Sequence, residues 1–294
     1  MSKAKIGFIG LGLMGAAMVE RLQACGYEMV LLGNRSRTRL EAALARGATE
    51  AADAKSLAEA ADIIMICVGT SEQVESRMYG ESGVLAGLSA GKIVIDFGTS
   101  LPASTIALGA EAEAKGAAYL DAPLGRPPAM ALEGRLNIMG AGDQSAFDRV
   151  RPVLDDLGEN VFHLGPLGTG HKIKLLNNYY AMTSAAAMAE VFAMADTLDV
   201  PRQTVYDVMA AGPNHSAMMD FIKQFAIDGE INLAFSLENS LKDVGYYRAM
   251  AEAAGARSWM SGAAFDALSE ACAAGMGENL VPEILSHFSS HMKD

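Results

Sequence analysis

The sequence has little cysteine and few aromatic residues. It contains three cysteines, one tryptophan and an aromatic content of 6% in 294 residues. Cys25, Cys67 and Cys272 are far apart and form no Cys-x-x-Cys pair. This spacing argues against a disulfide framework and against a cysteine metal site, as the spacing of the five histidines argues against a histidine site. We therefore expect reduced thiols in a cytoplasmic protein that has no metal.

Positive charge is also scarce. The chain has 23 Lys and Arg residues against 35 Asp and Glu residues, for a net charge of -12, and it has no long basic run. A surface of this sign is a poor partner for nucleic acid or for an anionic membrane. An anionic small molecule would need a local basic pocket.

No apolar run is long enough to span a membrane, and the N-terminal segment shows no signal peptide. The alanine-rich stretch from Ala181 to Ala195 is interrupted by Thr183, Ser184 and Glu190, which favours a buried helix of a soluble protein. With 51% hydrophobic and 20% charged residues, the chain can bury a large core. Its length predicts about two domains.

Hydrophobic patterning changes character near Gly165. Before it, short apolar runs alternate with helical patterns, which favours a doubly wound parallel sheet. The predicted strands are Lys5–Gly10, Glu28–Leu32, Ile63–Val68, Lys92–Asp96, Ala118–Asp121, Leu136–Met139 and Val161–Leu164. After it, helical patterns follow one another at 172–198, 201–211, 214–227, 238–254, 258–274 and 281–291. An α/β domain over 1–165 and an all-α domain over 166–294 are therefore predicted.

A glycine-rich turn follows the first strand and opens a helix. Gly10 permits a tight turn, Gly12 lets the backbone approach a pyrophosphate, and Gly15 lets the helix pack on the strand. The helix N-terminus adds free N–H groups and a partial positive charge. This context predicts a Rossmann dinucleotide-binding domain whose phosphate site is formed by Gly10, Leu11, Gly12, Leu13, Met14 and Gly15.

The end of the second strand carries no acidic residue to hold the ribose hydroxyls of NAD. It reads Asn34, Arg35, Ser36 and Arg37. A guanidinium and a hydroxyl can bind a 2′-phosphate, so we expect NADP as cofactor, with NAD possible. The alternative is that these arginines are solvated and that either nucleotide is used.

A helix beginning near Gly168 and Gly170 carries three polar residues on one face. Lys174 and Asn178 are four residues apart, and Asn177 is three from Lys174. A desolvated lysine can serve as an acid or base near neutral pH, and two carboxamides can hold an oxygen-rich substrate. The alternative is a solvated lysine beside locally bonded asparagines.

Three motifs in this order resemble the β-hydroxyacid dehydrogenase family, relatives of 3-hydroxyisobutyrate and 6-phosphogluconate dehydrogenases. The first is the string from Phe8 to Met18 around the glycine turn. The second comprises Gly168, Gly170, Lys174, Asn177 and Asn178, and the third comprises Phe235, Leu237, Leu241, Lys242 and Asp243. The resemblance covers nearly the whole chain.

The resemblance assigns roles to several of these residues. It implies that Lys174 is the general acid, that Asn178 holds it in line, and that Lys242 lies near the nicotinamide with support from Asp243. Val68 and Thr99 follow strands at the carboxyl edge of the sheet, where we expect them to contact the nicotinamide half of the cofactor. His171, one turn before the lysine face, is interpreted as structural or as a supporting residue.

One loop departs from the family. Where the family reads Asp-Ala-Pro-Val-Ser-Gly-Gly, this chain has Gly125 and Arg126 in place of the serine and the glycine after it. A permanent guanidinium suits a sulfonate, and the Gly-Arg-x-x-Ala arrangement ending at Ala129 resembles the sulfolactaldehyde reductase branch. The alternative is that Arg126 merely pairs with a carboxylate such as Asp121 or Glu133.

The expected function is NAD(P)H-dependent reduction of a short anionic aldehyde, from 3-sulfolactaldehyde to 2,3-dihydroxypropane-1-sulfonate, with Arg126, Gly125 and Asn177 at the anionic end. Alternatives are dehydrogenases of the 3-hydroxyisobutyrate, tartronate-semialdehyde or succinic-semialdehyde type, and a dinucleotide-binding sensor or scaffold without turnover. A sensor needs the phosphate turn but has no use for Lys174 with two asparagines on one face of a helix. The apolar helical domain favours a homodimer or homotetramer.

Overall fold

The computed structural model describes residues 3–33 and 37–292. These residues form two compact units, Met1–Lys174 and Leu175–Asp294. Each unit is described by itself below.

A six-stranded parallel sheet forms the centre of the first unit, in the order β3-β2-β1-β4-β5-β6. β1, β2, β4 and β5 are short runs of mostly apolar residues buried along their whole length, as strands of a sheet covered on both faces must be. β1 pairs with β2 and β4, with Ile6 opposite Met29 and Ile63. The strands are β1 Ile6–Ile9, β2 Met29–Leu32, β3 Thr49–Ala51, β4 Ile63–Ile66, β5 Ile93–Asp96 and β6 Ala118–Asp121.

Helices cover both faces of this sheet. One apolar cluster joins Phe8 to Leu22 and Phe147, and a second, on the opposite face, joins Ile64 to Leu57. The helices are α1 Leu13–Ala24, α2 Arg37–Ala45, α3 Ala54–Ala60, α4 Ser71–Met78, α5 Val84–Gly87, α6 Pro102–Glu113, α7 Pro128–Leu132 and α8 Gln144–Leu157. The predicted doubly wound α/β architecture is therefore confirmed.

Three further strands form a separate small sheet. β7 Leu124–Gly125 is antiparallel to β8 Leu136–Gly140, which is parallel to β9 Gly158–His163. The prediction that the last two strands extend the main parallel sheet is wrong. After β6 the chain turns back, and an antiparallel bridge between Asp121 and Ala141 replaces the next parallel pairing.

The second unit is built from helices, as predicted. Its core surrounds Phe192, Ile222 and Leu237. The helices are α9 Thr169–Thr197, which begins in the first unit, α10 Arg202–Ala210, α11 Ala217–Lys223, α12 Leu237–Ala253, α13 Ser261–Ala271 and α14 Ile284–His291. Two π-helical turns, Gln224–Asp228 and Cys272–Met276, extend α11 and α13, and a 3₁₀ turn, Val281–Glu283, leads into α14. Nowhere in the described part of the chain does a helix combine the length and apolarity needed to cross a bilayer.

Candidate active site

The turn between β1 and α1 requires glycine at two positions for reasons internal to the fold. Gly10 has φ 103°, and a Cβ there would lie 2.1 Å from the Cys67 carbonyl oxygen. A Cβ on Gly15 would lie 1.9 Å from the Gly10 carbonyl oxygen, because the helix packs directly on the strand. These contacts leave no room for any side chain at either position.

Gly12 differs from both neighbours. Its φ is −67°, which any residue adopts, and a Cβ there would meet no atom within 4 Å among the described residues. Helix α1 begins at Leu13 without a side-chain cap, so its first N–H groups stay available to a ligand. The protein's own packing does not require glycine here, whereas close approach of a pyrophosphate does. The turn therefore fits a dinucleotide.

Other predicted cofactor residues lie along the carboxyl edge of the sheet. Leu11 is buried and Met14 half-buried against the core, while the Leu13 side chain is 70% exposed. A small pocket at this edge is lined by Ile9, Gly10, Leu32, Gly33, Val68 and Arg77. It lies where the strand order reverses between β1 and β4, the usual place of a dinucleotide in such sheets.

Thr99 lies in a loop shaped by a buried carboxylate. Asp96, at the end of β5, accepts hydrogen bonds from the Gly98 amide and the Ser100 hydroxyl, both at 2.8 Å. Thr99 is half-buried between these two donors. Burial and the charge of Asp96 raise the pKa of the neighbouring Cys67 thiol to about 12, which disfavours the reactive thiolate.

The predicted 2′-phosphate residues Asn34, Arg35 and Ser36 lie outside the described residues. Arg37, which follows them, binds Glu50 of β3 through two hydrogen bonds of 2.6 and 3.2 Å. The hydrogen bond from Arg37 holds the pKa of the Glu50 carboxyl below its usual value. A carboxylate that the sequence pattern did not reveal thus lies beside the end of β2 and neutralises one of the two arginines.

The start of α9 is held by Asp121 of β6. Its carboxylate accepts from the Gly168 and His171 amides, both at 2.7 Å, and so caps the helix from a distant strand. Gly168 has φ 87°, and a Cβ on Gly170 would lie 2.2 Å from the Met139 carbonyl oxygen. Packing therefore requires glycine at Gly170, which already lies inside the helix, and the left-handed backbone favours it at Gly168.

His171 belongs to this buried support. Its side chain is fully buried, and Nδ1 lies 2.7 Å from the Thr105 hydroxyl. Nε2 lies 3.8 Å from the Asp96 carboxylate. Burial raises the pKa of the Asp121 carboxyl, although His171 and the backbone donors oppose that shift. His171 is thus a structural residue below the lysine face, in agreement with its interpretation from the sequence.

Lys174, Asn177 and Asn178 lie within α9. Lys174 is half-buried, Asn177 is exposed and Asn178 is buried. The Asn178 amide donates to the Asp243 carboxylate at 2.6 Å, and its oxygen accepts from the Asn177 amide at 3.1 Å. Because a carboxylate only accepts, Asp243 fixes which way the Asn178 carboxamide points.

Lys242 precedes this carboxylate on α12. Its Nζ lies 3.0 Å from the second Asp243 oxygen and 5.3 Å from the centre of the Tyr246 ring. Asp243 is 1% exposed and the Lys242 side chain 17% exposed, so the pair is largely removed from water. The resemblance implied that Asp243 supports Lys242; the structure adds that it also anchors Asn178.

Arg126 follows β7 with a left-handed backbone, φ 78°, at a position where the family has glycine. Its Nη1 forms an ion pair with Glu159 of β9 and donates to the Arg135 carbonyl oxygen at 2.7 Å. Arg126 does pair with a carboxylate, as the alternative from the sequence allowed, but that carboxylate is Glu159 and not Asp121 or Glu133. Asp121 caps α9, and Glu133 binds Arg135 at 3.1 Å instead.

The remaining edge of this guanidinium stays available. Among residues 3–33 and 37–292, no hydrogen bond from Nε or Nη2 of Arg126 is present. The side chain as a whole is 30% exposed. A planar pair of N–H donors of this kind binds two oxygens of an oxyanion.

Three acidic residues of the site were not identified from the sequence in these roles: Asp121 as a helix cap, Asp243 as the partner of Asn178, and Glu159 as the partner of Arg126. Asp121 carried a signal because it ends a buried strand, and Asp243 because it belongs to the third motif, whereas Glu159 carried none. The other pairings join residues 65 and 33 positions apart.

Comparisons with known proteins agree with this geometry. Residues 5–165 match the NAD binding domain of 6-phosphogluconate dehydrogenase, and residues 168–286 match the NAD-binding domain of NADP-dependent 3-hydroxyisobutyrate dehydrogenase. The 3-sulfolactaldehyde reductase of Escherichia coli K12 is 31% identical over 277 residues, which cover 93% of this chain and 92% of that protein.

Two solved structures share the fold over nearly their whole length. The 3-hydroxyisobutyrate dehydrogenase of Mycobacterium tuberculosis, solved with L-serine, is 25% identical with a TM-score of 0.87, covering 98% of this chain and 99% of that one. Psf3, solved with NADP⁺ and 2-OPP, is 28% identical with a TM-score of 0.84, covering 97% and 100%. The chain therefore belongs to the β-hydroxyacid dehydrogenase family and is an NAD(P)-dependent oxidoreductase.

Proposed function

We propose that this enzyme reduces a short aldehyde carrying a sulfonate, 3-sulfolactaldehyde, to 2,3-dihydroxypropane-1-sulfonate. The observation that carries the proposal is Arg126, which replaces a loop glycine of the family and keeps one hydrogen-bonding edge available. The similarity to 3-sulfolactaldehyde reductase over 93% of the chain supports it.

Lys174 is the proposed general acid. A reduced nicotinamide, when bound, would supply the hydride to the aldehyde carbon, so negative charge would develop on the carbonyl oxygen. The Lys174 ammonium gives that oxygen a proton, and the neutral amine takes it back in the reverse reaction. Lys174 is half-buried and lies on the same helix as Asn177 and Asn178, which favours this role.

Asn178 is proposed to orient the reacting oxygen beside Lys174, with its own carboxamide held by Asp243. Arg126 is proposed to bind the anionic end of the substrate together with the Gly125 backbone and Asn177. A sulfonate stays ionised at every physiological pH, so a permanent cation is a suitable partner.

NADP is the proposed cofactor, with NAD as an alternative. Gly10 to Gly15 would hold the pyrophosphate, Asn34, Arg35 and Ser36 the 2′-phosphate, and Val68, Thr99 and Lys242 the nicotinamide half. The match to an NADP-dependent dehydrogenase domain and the likeness to a structure holding NADP⁺ support this choice. Glu50 beside the end of β2 weighs toward NAD, because it neutralises Arg37.

The test is a steady-state comparison of 3-sulfolactaldehyde with the semialdehydes of methylmalonate, tartronate and succinate, using NADPH and NADH in turn. The proposal expects the largest kcat/KM with the sulfonate and NADPH. Arg126→Ala should raise KM for the sulfonate at least tenfold, while Arg135→Ala, the matched control, should change it little. A carboxylated aldehyde with the largest kcat/KM would instead assign the enzyme to the 3-hydroxyisobutyrate type.

A further inference from the structure

We propose that Glu159 makes the anion site selective for singly charged oxyanions, such as a sulfonate, over doubly charged ones such as a phosphate ester. The proposal rests on the assignment of Arg126 to the anionic end of the substrate. It adds a residue that sets specificity and a limit on the charge of the substrate.

The charges around Arg126 are balanced before any ligand arrives. Arg126 and Arg135 are the two cations, and Glu159 and Glu133 are the two anions, joined as Arg126–Glu159 and Arg135–Glu133 pairs. A second, longer contact of 3.9 Å links Arg135 to Glu159. The cluster therefore offers hydrogen-bond donors without a net positive charge.

A ligand bound by Arg126 would leave its contact with Glu159 in place. Glu159 and the Arg135 carbonyl oxygen together occupy Nη1 of Arg126, while a ligand would use Nε and Nη2 at the other edge. The hydrogen bond from Arg126 holds the pKa of the Glu159 carboxyl below its usual value, so this group stays ionised near neutral pH. An oxyanion bound by Arg126 is thus opposed by a fixed negative charge across the same guanidinium.

The electrostatic repulsion between Glu159 and the ligand grows with the charge of the ligand. A dianion gains twice the Coulomb attraction to Arg126, but it also suffers twice the repulsion from Glu159. Glu159 offsets part of the attraction to Arg126, so the second charge of a phosphate adds less affinity while its greater desolvation cost remains. A monoanion with three oxygens can accept hydrogen bonds from Nε and Nη2 of Arg126 while it suffers the smallest repulsion from Glu159.

The test measures binding directly, by calorimetry on the enzyme–NADP⁺ complex, with two ligands of similar size: 2-hydroxyethanesulfonate and 2-hydroxyethyl phosphate. At pH 7.5 the wild type should bind the phosphate no more tightly than the sulfonate. Glu159→Gln keeps an oxygen that accepts from Arg126 but removes the charge. It should tighten the sulfonate roughly threefold and the phosphate roughly tenfold, since the fold-change squares when the ligand charge doubles.

Two controls make the result specific. Glu133→Gln removes a negative charge from the same cluster without touching Arg126, and it should change both constants less than twofold. At pH 5 the phosphate is mostly a monoanion, because its second pKa is about 6, so its response to Glu159→Gln should fall to that of the sulfonate.

The outcomes separate this inference from the proposed function. If Arg126→Ala, checked for an unchanged NADP⁺ affinity, binds both ligands as well as the wild type, the assignment of the anion site is wrong. If Arg126→Ala weakens both but Glu159→Gln leaves their ratio unchanged, or if Glu133→Gln shifts that ratio equally, only the role of Glu159 is overturned.

Discussion

The two units present their candidate site groups in different ways. In the first unit the cofactor turn is made of backbone: Gly10 and Gly15 are fixed by contacts below 2.5 Å that any Cβ would make, and Gly12 is left open. In the second unit the candidate site group Asn178 is a side chain, and the buried carboxylate of Asp243 orients it. A Cβ added to the turn would clash with the protein at Gly10 and Gly15 and with a bound dinucleotide at Gly12. The direction of the Asn178 carboxamide depends instead on the side chain that binds it.

This difference predicts how substitutions at the two groups of residues should act. In the turn, a substitution of Gly10 or Gly15 should lower the stability of the fold, and a substitution of Gly12 should weaken dinucleotide binding. Substitutions around Asn178 should leave binding of the dinucleotide intact and act on the rate. The following predictions test that division, from the largest expected effect to the smallest.

Lys174→Ala should lower kcat about 10²- to 10⁴-fold, because the developing alkoxide loses its proton donor. The dissociation constant for NADPH, measured by quenching of the single tryptophan or by calorimetry, should stay within about twofold. Lys172→Ala, two residues earlier on α9 at an exposed position, is the matched control and should keep full activity. A Lys174→Ala enzyme with wild-type kcat would remove the lysine from the mechanism.

Gly10→Ala should destabilise the protein by about 3 kcal/mol or more, since the new Cβ meets the Cys67 carbonyl and a left-handed backbone disfavours alanine. Gly12→Ala should leave the free energy of unfolding within about 0.5 kcal/mol and instead weaken NADPH binding at least tenfold. Urea unfolding and cofactor titration of both variants check this. Equal stability loss in the two would contradict the division between them.

Asp243→Ala and Asn178→Ala should each lower kcat roughly tenfold, and the double variant should be little worse than either. The reason is that both remove the same oriented carboxamide, so their effects on the barrier should couple by about 1 kcal/mol or more. Steady-state kinetics of the four enzymes measure the cycle. Additive losses would show that Asp243 acts through Lys242 alone.

Arg126→Gly should change the free energy of unfolding by less than about 1 kcal/mol. Glycine relieves the left-handed backbone at φ 78°, but the variant loses an ion pair whose side chains are 30% and 45% exposed. Urea unfolding gives the value. A larger loss would mean that the contacts with Glu159 and Arg135 hold the loop together, and not only the anion site.

Much of the fold could be read from the sequence because its signals are local. Alternating apolar runs and helices, the glycine turn after the first strand, and the run of helices after Gly165 were each predicted and found. The small separate sheet was missed, since β7 has only two residues and β8 and β9 look like ordinary parallel strands. Nothing in a short apolar run states which neighbour it will pair with.

Some features of the candidate site could likewise be predicted from the sequence, and others could not. The positions of Lys174, Asn177 and Asn178 on one helix follow from spacing along the chain, and so does the place of the glycine turn. The carboxylate that pairs with Arg126 was not identified, because both candidates named for the alternative were near it in sequence. Its actual partner, Glu159, is 33 residues away and comes close only through the pairing of β7, β8 and β9.

By itself, the sequence determined the order of strands and helices, the turn that fits a dinucleotide and the face that carries Lys174. The tertiary structure alone decided that Asp121 caps α9, that Asp243 orients Asn178 and that Glu159 neutralises Arg126. The physical reason is range. Backbone conformation follows from neighbours a few residues away, whereas the charge and direction of a side chain in a site depend on groups that only long-range pairing brings within 3 Å.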